Sequence, residues 1–146
     1  SGTTAVTFNA PLGLYHVAVR HRNHLGVMSE KLLPVGPSVR SWDLSDGSVP
    51  LFGTDAVNDV LGTDVLWAGN TLNDGVLRYV GDGNDRDPIL SVIGGSVPTA
   101  IMPGYRVEDV NLDGVTKYVG DANDRDPVLQ NIGGSVPTNT RVEQLP

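Results

Sequence analysis

Residues 109–138 read DVNLDGVTKYVGDANDRDPVLQNIGGSVPT, and residues 70–99 read NTLNDGVLRYVGDGNDRDPILSVIGGSVPT. The two stretches lie 39 positions apart and agree at 20 of 30 positions. Chance does not produce that agreement, so they are two copies of one unit. Each unit opens on a turn, Asp74-Gly75 or Asp113-Gly114, where glycine accepts a positive φ. A short helix is then predicted to start at Asp87-Pro88 and at Asp126-Pro127, with Asp as N-cap and Pro in the first helical position. Ile89, Leu90 and Ile93 fall on one helical face, as do Val128, Leu129 and Ile132. Gly94-Gly95 and Gly133-Gly134 stop each helix after about two turns. Helices this short are unstable alone and must pack on a neighbour, including each other.

Between turn and helix the units are rich in side-chain oxygen. Asp109-x-Asn111-x-Asp113-Gly114 matches the opening of an EF-hand loop, which takes ligands at positions 1, 3 and 5 and glycine at 6. Alternate oxygen-bearing residues on a tight turn converge on one hard cation such as Ca2+. Val115 supplies a main-chain carbonyl at position 7. Position 12 is Gly120 instead of an acid, so the loop runs longer, with Asp124 as the late carboxylate and Asp121 as a second candidate. Asp126 is left to cap the helix. The first unit is degenerate at its front: Asn70 and Leu72 stand at positions 1 and 3. It keeps Asp74, with Val76 at position 7 and Asp82 and Asp85 later. Leu72 offers only a carbonyl, Asn73 is a substitute, and weaker binding is expected there. The competing explanation is that these acids only cap turns and helices. Their recurrence in two copies favours the ion.

The charge supports that preference. The chain has 10 Lys+Arg against 17 Asp+Glu, a net −7. Residues 1–68 hold four basic and six acidic residues, residues 69–146 six and eleven, so the acid gathers where the repeats are. This disfavours a nucleic-acid partner, which calls for a basic face. There is no Cys, so disulfides and thiolate metal sites are excluded. A small extracellular domain without disulfides needs another staple, and bound metal is a common one. No run is long and apolar enough for a membrane span, and no signal segment opens at Ser1. The chain is therefore expected to be either cytosolic or a processed or excised part of something longer.

The N-terminal third reads as β. Residues 3–9 and 14–22 alternate like strands joined by a hairpin connection at 9–13. Val6 and Phe8 share a face, and Tyr15, Val17 and Val19 point inward with His16, Ala18, Arg20 and Arg22 outward. Residues 38–44 add a strand carrying Trp42 and Leu44, and Asp55–Leu61 a short helix. His16, His21 and His24 raise a transition-metal site, but His16 and His21 fall on opposite strand faces and convergence would need a bulge, so they read first as a polar face. Contact of that face with an anionic glycan is a weaker expectation. Two strands alone are marginal, and open edges invite strand addition from another chain.

The pattern DxNxDGVxKYxGxxNDRDPxLxxIGGxxP resembles the dockerin-like calcium repeats near the C-termini of large secreted Bacteroidota proteins. The stretch YHVAVRHRNHLGVMS (Tyr15–Ser29) resembles the β-rich segment that precedes such repeats, and NTRVEQLP (139–146) resembles their ending. The resemblance implies export, calcium and a surface or extracellular setting, and no activity. Two departures stand out. Tyr118-Val119 replaces the small hydroxyl pair that dockerins present to cohesin, and the first unit lacks the early acidic pattern.

No Cys nucleophile, GxSxG, HExxH or Walker loop is present. Asp85/Asp87 and Asp124/Asp126 pair acids, but beside turn glycines and helix starts, where capping or calcium explains them better than glycoside hydrolysis. The expected fold is mixed α+β. A small, sandwich-like or partial β-strand region (1–52) precedes two calcium-loop/short-helix repeats (53–146). The expected function is a non-catalytic, extracellular calcium-binding structural or interaction module. Its partner is self-association or another extracellular protein. The alternative is a subunit of an extracellular filament joined through β edges.

Overall fold

The computed structural model describes residues 6–7 and 9–146. The chain is mixed α+β and mainly β. In order its elements are β1 (Gly13–Tyr15), β2 (Ala18–Val19), β3 (Val27–Met28), β4 (Leu33–Val35), β5 (Val57–Val60) and β6 (Thr63–Leu66). There follow β7 (Val76–Arg78), α1 (Arg86–Val92), β8 (Ile101–Pro103), β9 (Val115–Lys117), α2 (Arg125–Asn131) and β10 (Thr140–Val142). Among the described residues the strands pair only in two-stranded antiparallel ladders: β1–β4, β2–β3, β5–β6, β7–β10 and β8–β9. No described helix is long and apolar enough to cross a membrane.

The first four strands form one bent hairpin. His16 and Val17 on its outgoing arm face Ser29 to Leu32 on the return, and the two extra residues break the expected 14–22 strand in two. Ser29 holds the kink. Its N–H donates to the Val17 carbonyl at 2.9 Å, its Oγ accepts Val17 N–H at 3.0 Å, and its carbonyl accepts His16 Nδ1–H at 2.8 Å. Tyr15 and Val17 are half-buried as expected, whereas Val19 is exposed and Arg22 is half-buried. The expected partner strand at 3–9 lies partly outside the described residues, and β1 pairs with β4 instead.

Two further expectations are corrected. Residues 38–44 form no strand. At and beyond their end Asp43 and Asp46 fold the chain into Asx turns onto the Ser45 and Ser48 N–H groups. Residues 55–61 form no helix: Val57–Val60 pairs with Thr63–Leu66 around Leu61-Gly62. Both turn residues have positive φ, 55° and 83°, which is the two-residue turn whose twist suits a hairpin.

Each sequence unit supplies a strand, a helix and a second strand, at equal offsets. β8, which follows α1, pairs with β9 of the second unit, and β10, which follows α2, pairs with β7 of the first. The registers correspond residue for residue: Ile101 faces Lys117 as Thr140 faces Arg78. The helices cross over as well, α1 packing on β9 and α2 on β7, with α1 against α2. Ile89 and Val128 are completely buried with Val110, and Ile132 packs with Leu77 and Leu25.

The hairpin loop is bolted to these units. Leu25 joins the Leu77–Ile132 cluster. Gly26 N–H donates to Glu143 Oε1 at 2.7 Å, and a Cβ at Gly26 would meet that oxygen. Asn23 is wholly buried. Its carbonyl accepts the N–H groups of Gly69 and Asn70, and its amide donates to the carbonyls of Val107 (2.9 Å) and Asp109 (2.7 Å).

Asn23→Ala strands the buried Asp109 carbonyl and the half-buried Val107 carbonyl, and urea unfolding is expected to register a loss of about 2–4 kcal/mol. Thr116 is the opposite case: it is buried, and its hydroxyl has no partner among the described residues. Thr116→Val is expected to raise stability by roughly 1 kcal/mol in the same assay. A destabilised valine variant would mean the hydroxyl is satisfied.

Candidate metal centre in the acidic loops

In the second unit, Asp109 begins the loop and is completely buried. Its Oδ2 accepts Gly114 N–H at 3.1 Å and Arg22 Nη2–H at 3.3 Å. Its Oδ1 is also buried and has no hydrogen-bond partner among the described residues. Asn111 Oδ1 accepts Asp113 N–H at 2.9 Å, and Asp113 Oδ1 accepts Val115 N–H at 2.8 Å. These successive Asx turns wind positions 1, 3 and 5 around one side of the loop. The amide of Asn111 donates to the Ala122 carbonyl at 2.8 Å, closing the loop's far end onto its front. Lys117 Nζ lies 3.7 Å from Asp113 Oδ2.

Asp124 is also completely buried, and it is the hub of the loop. Its Oδ1 accepts the N–H groups of Val110 (2.7 Å) and Asn111 (3.1 Å), and its Oδ2 accepts Lys117 N–H at 2.8 Å. Burial raises its pKa, the three N–H donors oppose that, and the nearby Asp109 charge adds to it. Asp121 stays exposed and, among the described residues, forms no hydrogen bond or ion pair; the same holds for Asp82. Asp109, Asn111, Asp113 and Asp124 thus lie along one loop tied together mainly through backbone N–H groups, with Val115 next in the same turns, and Asp121 makes no bond to it among the described residues. Among the described residues no three His, Cys, Asp or Glu side chains gather as a metal centre. The oxygen set here mixes carboxylates with an amide and a main-chain carbonyl.

The first loop has the same wiring with different end groups. Asp85 is buried, its Oδ2 accepts Arg78 N–H at 2.9 Å and its Oδ1 accepts Leu72 N–H at 3.2 Å. Thr71 Oγ1–H donates to the Asp85 carbonyl at 2.7 Å. Asn70, at position 1, carries no charge, and its Oδ1 accepts Asp74 N–H. Asp74 Oδ1 accepts Val76 N–H at 2.9 Å, while its Oδ2 binds Arg78 Nη1 at 2.9 Å. Arg78 also reaches the Gly83 carbonyl, at 3.4 Å. The guanidinium therefore ties front to back, as Asn111 does in the second loop. Leu72 contributes no side-chain oxygen and is partly exposed.

The helix caps differ from the expectation. The helices begin at Arg86 and Arg125, and neither Asp87 nor Asp126 is the N-cap. Asn84 Oδ1 accepts Asp87 N–H at 3.0 Å while its amide donates back to Asp87 Oδ2 at 2.8 Å; Asn123 and Asp126 repeat this at 2.9 and 2.8 Å. The N-caps are Asp85 and Asp124, which make no side-chain cap bond, and the Asn-Asp pair that starts one residue earlier takes only the forward half of a capping box, its return bond running side chain to side chain. Arg86 and Arg125 lie over the rings of Tyr79 and Tyr118, at 5.0 and 5.2 Å, and so brace the loops from behind. The contacts of Arg22 and Asn23 with the second loop had no signal in sequence beyond a polar run.

Comparison with protein-family models, with curated proteins and with solved structures finds no match.

Two buried groups set opposing pH dependences. Burial holds the Asp85 carboxyl up at about 6, against the N–H groups of Arg78 and Leu72. Its contribution is complete below its unfolded value and is lost as pH rises through about 6. Burial also lowers His24, to about 4, helped by His21 and Arg22. That contribution is present above the unfolded value of 6.5 and is lost as pH falls toward 4. His24→Gln removes the second and keeps the first. In chelator, its melting temperature is expected to rise between about pH 7 and about pH 5 relative to the parent's change over the same interval. Parallel pH profiles would mean His24 is not held neutral.

Proposed function

We propose that the chain is a non-catalytic calcium-binding structural module of a secreted or surface protein, with the tighter site in the second unit. The observation that carries this is Asp109: a completely buried carboxylate that pairs with Arg22 through Oδ2 at 3.3 Å and whose Oδ1 has no hydrogen-bond partner among the described residues. Such an oxygen is costly to bury uncompensated. It stands at position 1 of a loop in which Asn111 and Asp113 follow in successive Asx turns, and a calcium ion is a hard cation that oxygens of this kind satisfy. Asp109, Asn111, Asp113, the Val115 carbonyl and Asp124 would hold it. The ion would neutralise acids that otherwise repel and fix the loop that positions α2.

The first unit is the weaker site on this reading. Asn70 replaces the orphaned carboxylate, and Arg78 already balances Asp74. Leu72 and Val76 could lend only carbonyls, and Asp82 is exposed and without a bond to the loop among the described residues. A second reading, a subunit joined to others through strand edges, draws on the two-stranded ladders and on Leu61. That residue is fully exposed at a hairpin tip. Light scattering separates a monomer from such a polymer.

Metal bound only by the folded state adds RT ln(1+[L]/Kd) to stability, about 4 kcal/mol at a thousandfold excess over Kd. Millimolar calcium is expected to raise the melting temperature of metal-free protein by roughly 10 °C. Asp113→Ala is expected to abolish most of that shift and Asp74→Ala little of it. Equal losses would sink the ranking of the two units, and no shift in the parent would return the acids to capping alone.

A further inference from the structure

We propose that His21, His24 and Asn23 form a second metal site, selective for a divalent ion with right-angle coordination such as Cu2+. Its ligands are none of those proposed for calcium, although Asn23 also holds the fronts of both loops. Asn23 fixes which atom faces His24. Its amide gives both hydrogens to the carbonyls of Val107 and Asp109, so the atom facing His24 is fixed as oxygen. Asn23 Oδ1 lies 2.7 Å from His24 Nδ1, and His21 Nδ1 lies 2.9 Å from the same nitrogen. Two atoms that carry lone pairs thus flank the Nδ1 of His24, and a neutral His24 brings one proton to serve both. A second proton, on His21 Nδ1, would set N–H against N–H.

A metal ion in place of that proton satisfies all three atoms at once. Bonds of about 2.0–2.1 Å at right angles separate neighbouring ligands by about 2.9 Å, whereas tetrahedral zinc spreads them further. Tetragonal nitrogen and oxygen sites suit Cu2+ and Ni2+, and Cu2+ binds such ligands most tightly among the first-row divalent ions. The rings stand edge-on, centroids 4.6 Å apart and 82° between planes, so the two nitrogens meet without the rings stacking. His24 Nδ1 yields its proton to solvent as Nε2 takes one up, so the imidazole remains neutral and no net proton is released. The site opens on a groove of about 680 Å³ that Asp64, Asn58 and Asn111 also line, which leaves room for water or a further oxygen ligand. His16 takes no part, because its Nδ1–H is engaged by the Ser29 carbonyl.

The test is a Cu2+ titration of the full chain with calcium at saturation, read by calorimetry and by electron paramagnetic resonance. One Cu2+ is expected to bind with coupling to two imidazole nitrogens. His21→Ala is expected to weaken it more than about tenfold, with an unchanged circular-dichroism spectrum because His21 is exposed. His16→Ala is expected to leave it unchanged. Failure to bind Cu2+, binding without nitrogen coupling, or equal affinity in the parent and His21→Ala would each overturn the proposal. Because calcium is scored separately by melting, none of these outcomes depends on the calcium reading.

Discussion

The buried side chain of Asn23 is the constraint on which the arrangement of the loops depends. One residue of the hairpin receives the N–H groups of Gly69 and Asn70 on its carbonyl and binds the carbonyls of Val107 and Asp109 through its amide. Asn70 and Asp109 are the equivalent first residues of the two units, so a single side chain and its own backbone clamp both fronts at once. A small core with few aromatic rings cannot orient such loops by packing alone. A fully satisfied buried amide can, because every alternative placement strands polar groups away from water.

The two units are interlocked beyond that clamp. Each helix packs on the other unit's first strand, and each second strand pairs across to the other unit. Neither unit buries its apolar stripe by itself, which agrees with helices of seven residues having no stability of their own. Whatever steadies one loop therefore steadies the other's helix. Arg141 adds a further tie: its guanidinium lies over the Trp67 ring at 3.4 Å, donates to the Asn131 carbonyl and pairs with Asp55.

The parts legible in sequence were those fixed by local chemistry. The repeat, the apolar stripes of both helices, their glycine stops and the Asp-Gly turns all lie within a few residues of their cause. Gly94 and Gly133 indeed hold φ of 109° and 111°. The hairpin at 57–66 was missed because Leu occupies the first turn position, where Asn or Gly usually announces the turn. Residues 38–44 alternate like a strand yet find no partner strand, and alternation without a partner is not a strand. Nor could periodicity reveal that Arg22 and Asn23 reach across more than eighty positions to Asp109, because such contacts are decided by tertiary packing.

Four differences between the loops carry the remaining argument. Asn70 stands for Asp109, Leu72 for Asn111, Leu77 for Thr116 and Arg78 for Lys117. The first removes a buried negative charge, so the first loop has no orphaned oxygen to satisfy. The second removes the amide that closes loop two onto the Ala122 carbonyl, and the fourth restores the closure, because Arg78 reaches both Asp74 and the equivalent Gly83 carbonyl. An ammonium on the Lys117 stem stops 3.7 Å from Asp113, too far to do the same. Leu77 then fills with hydrocarbon the strand position where Thr116 buries an unpaired hydroxyl. On the proposed reading these changes belong together. One loop closes on its own guanidinium with hydrocarbon behind it, and the other, beside its Arg22 and Lys117 ion pairs, keeps a carboxylate oxygen with no partner among the described residues, which on this reading an ion from outside the chain would satisfy.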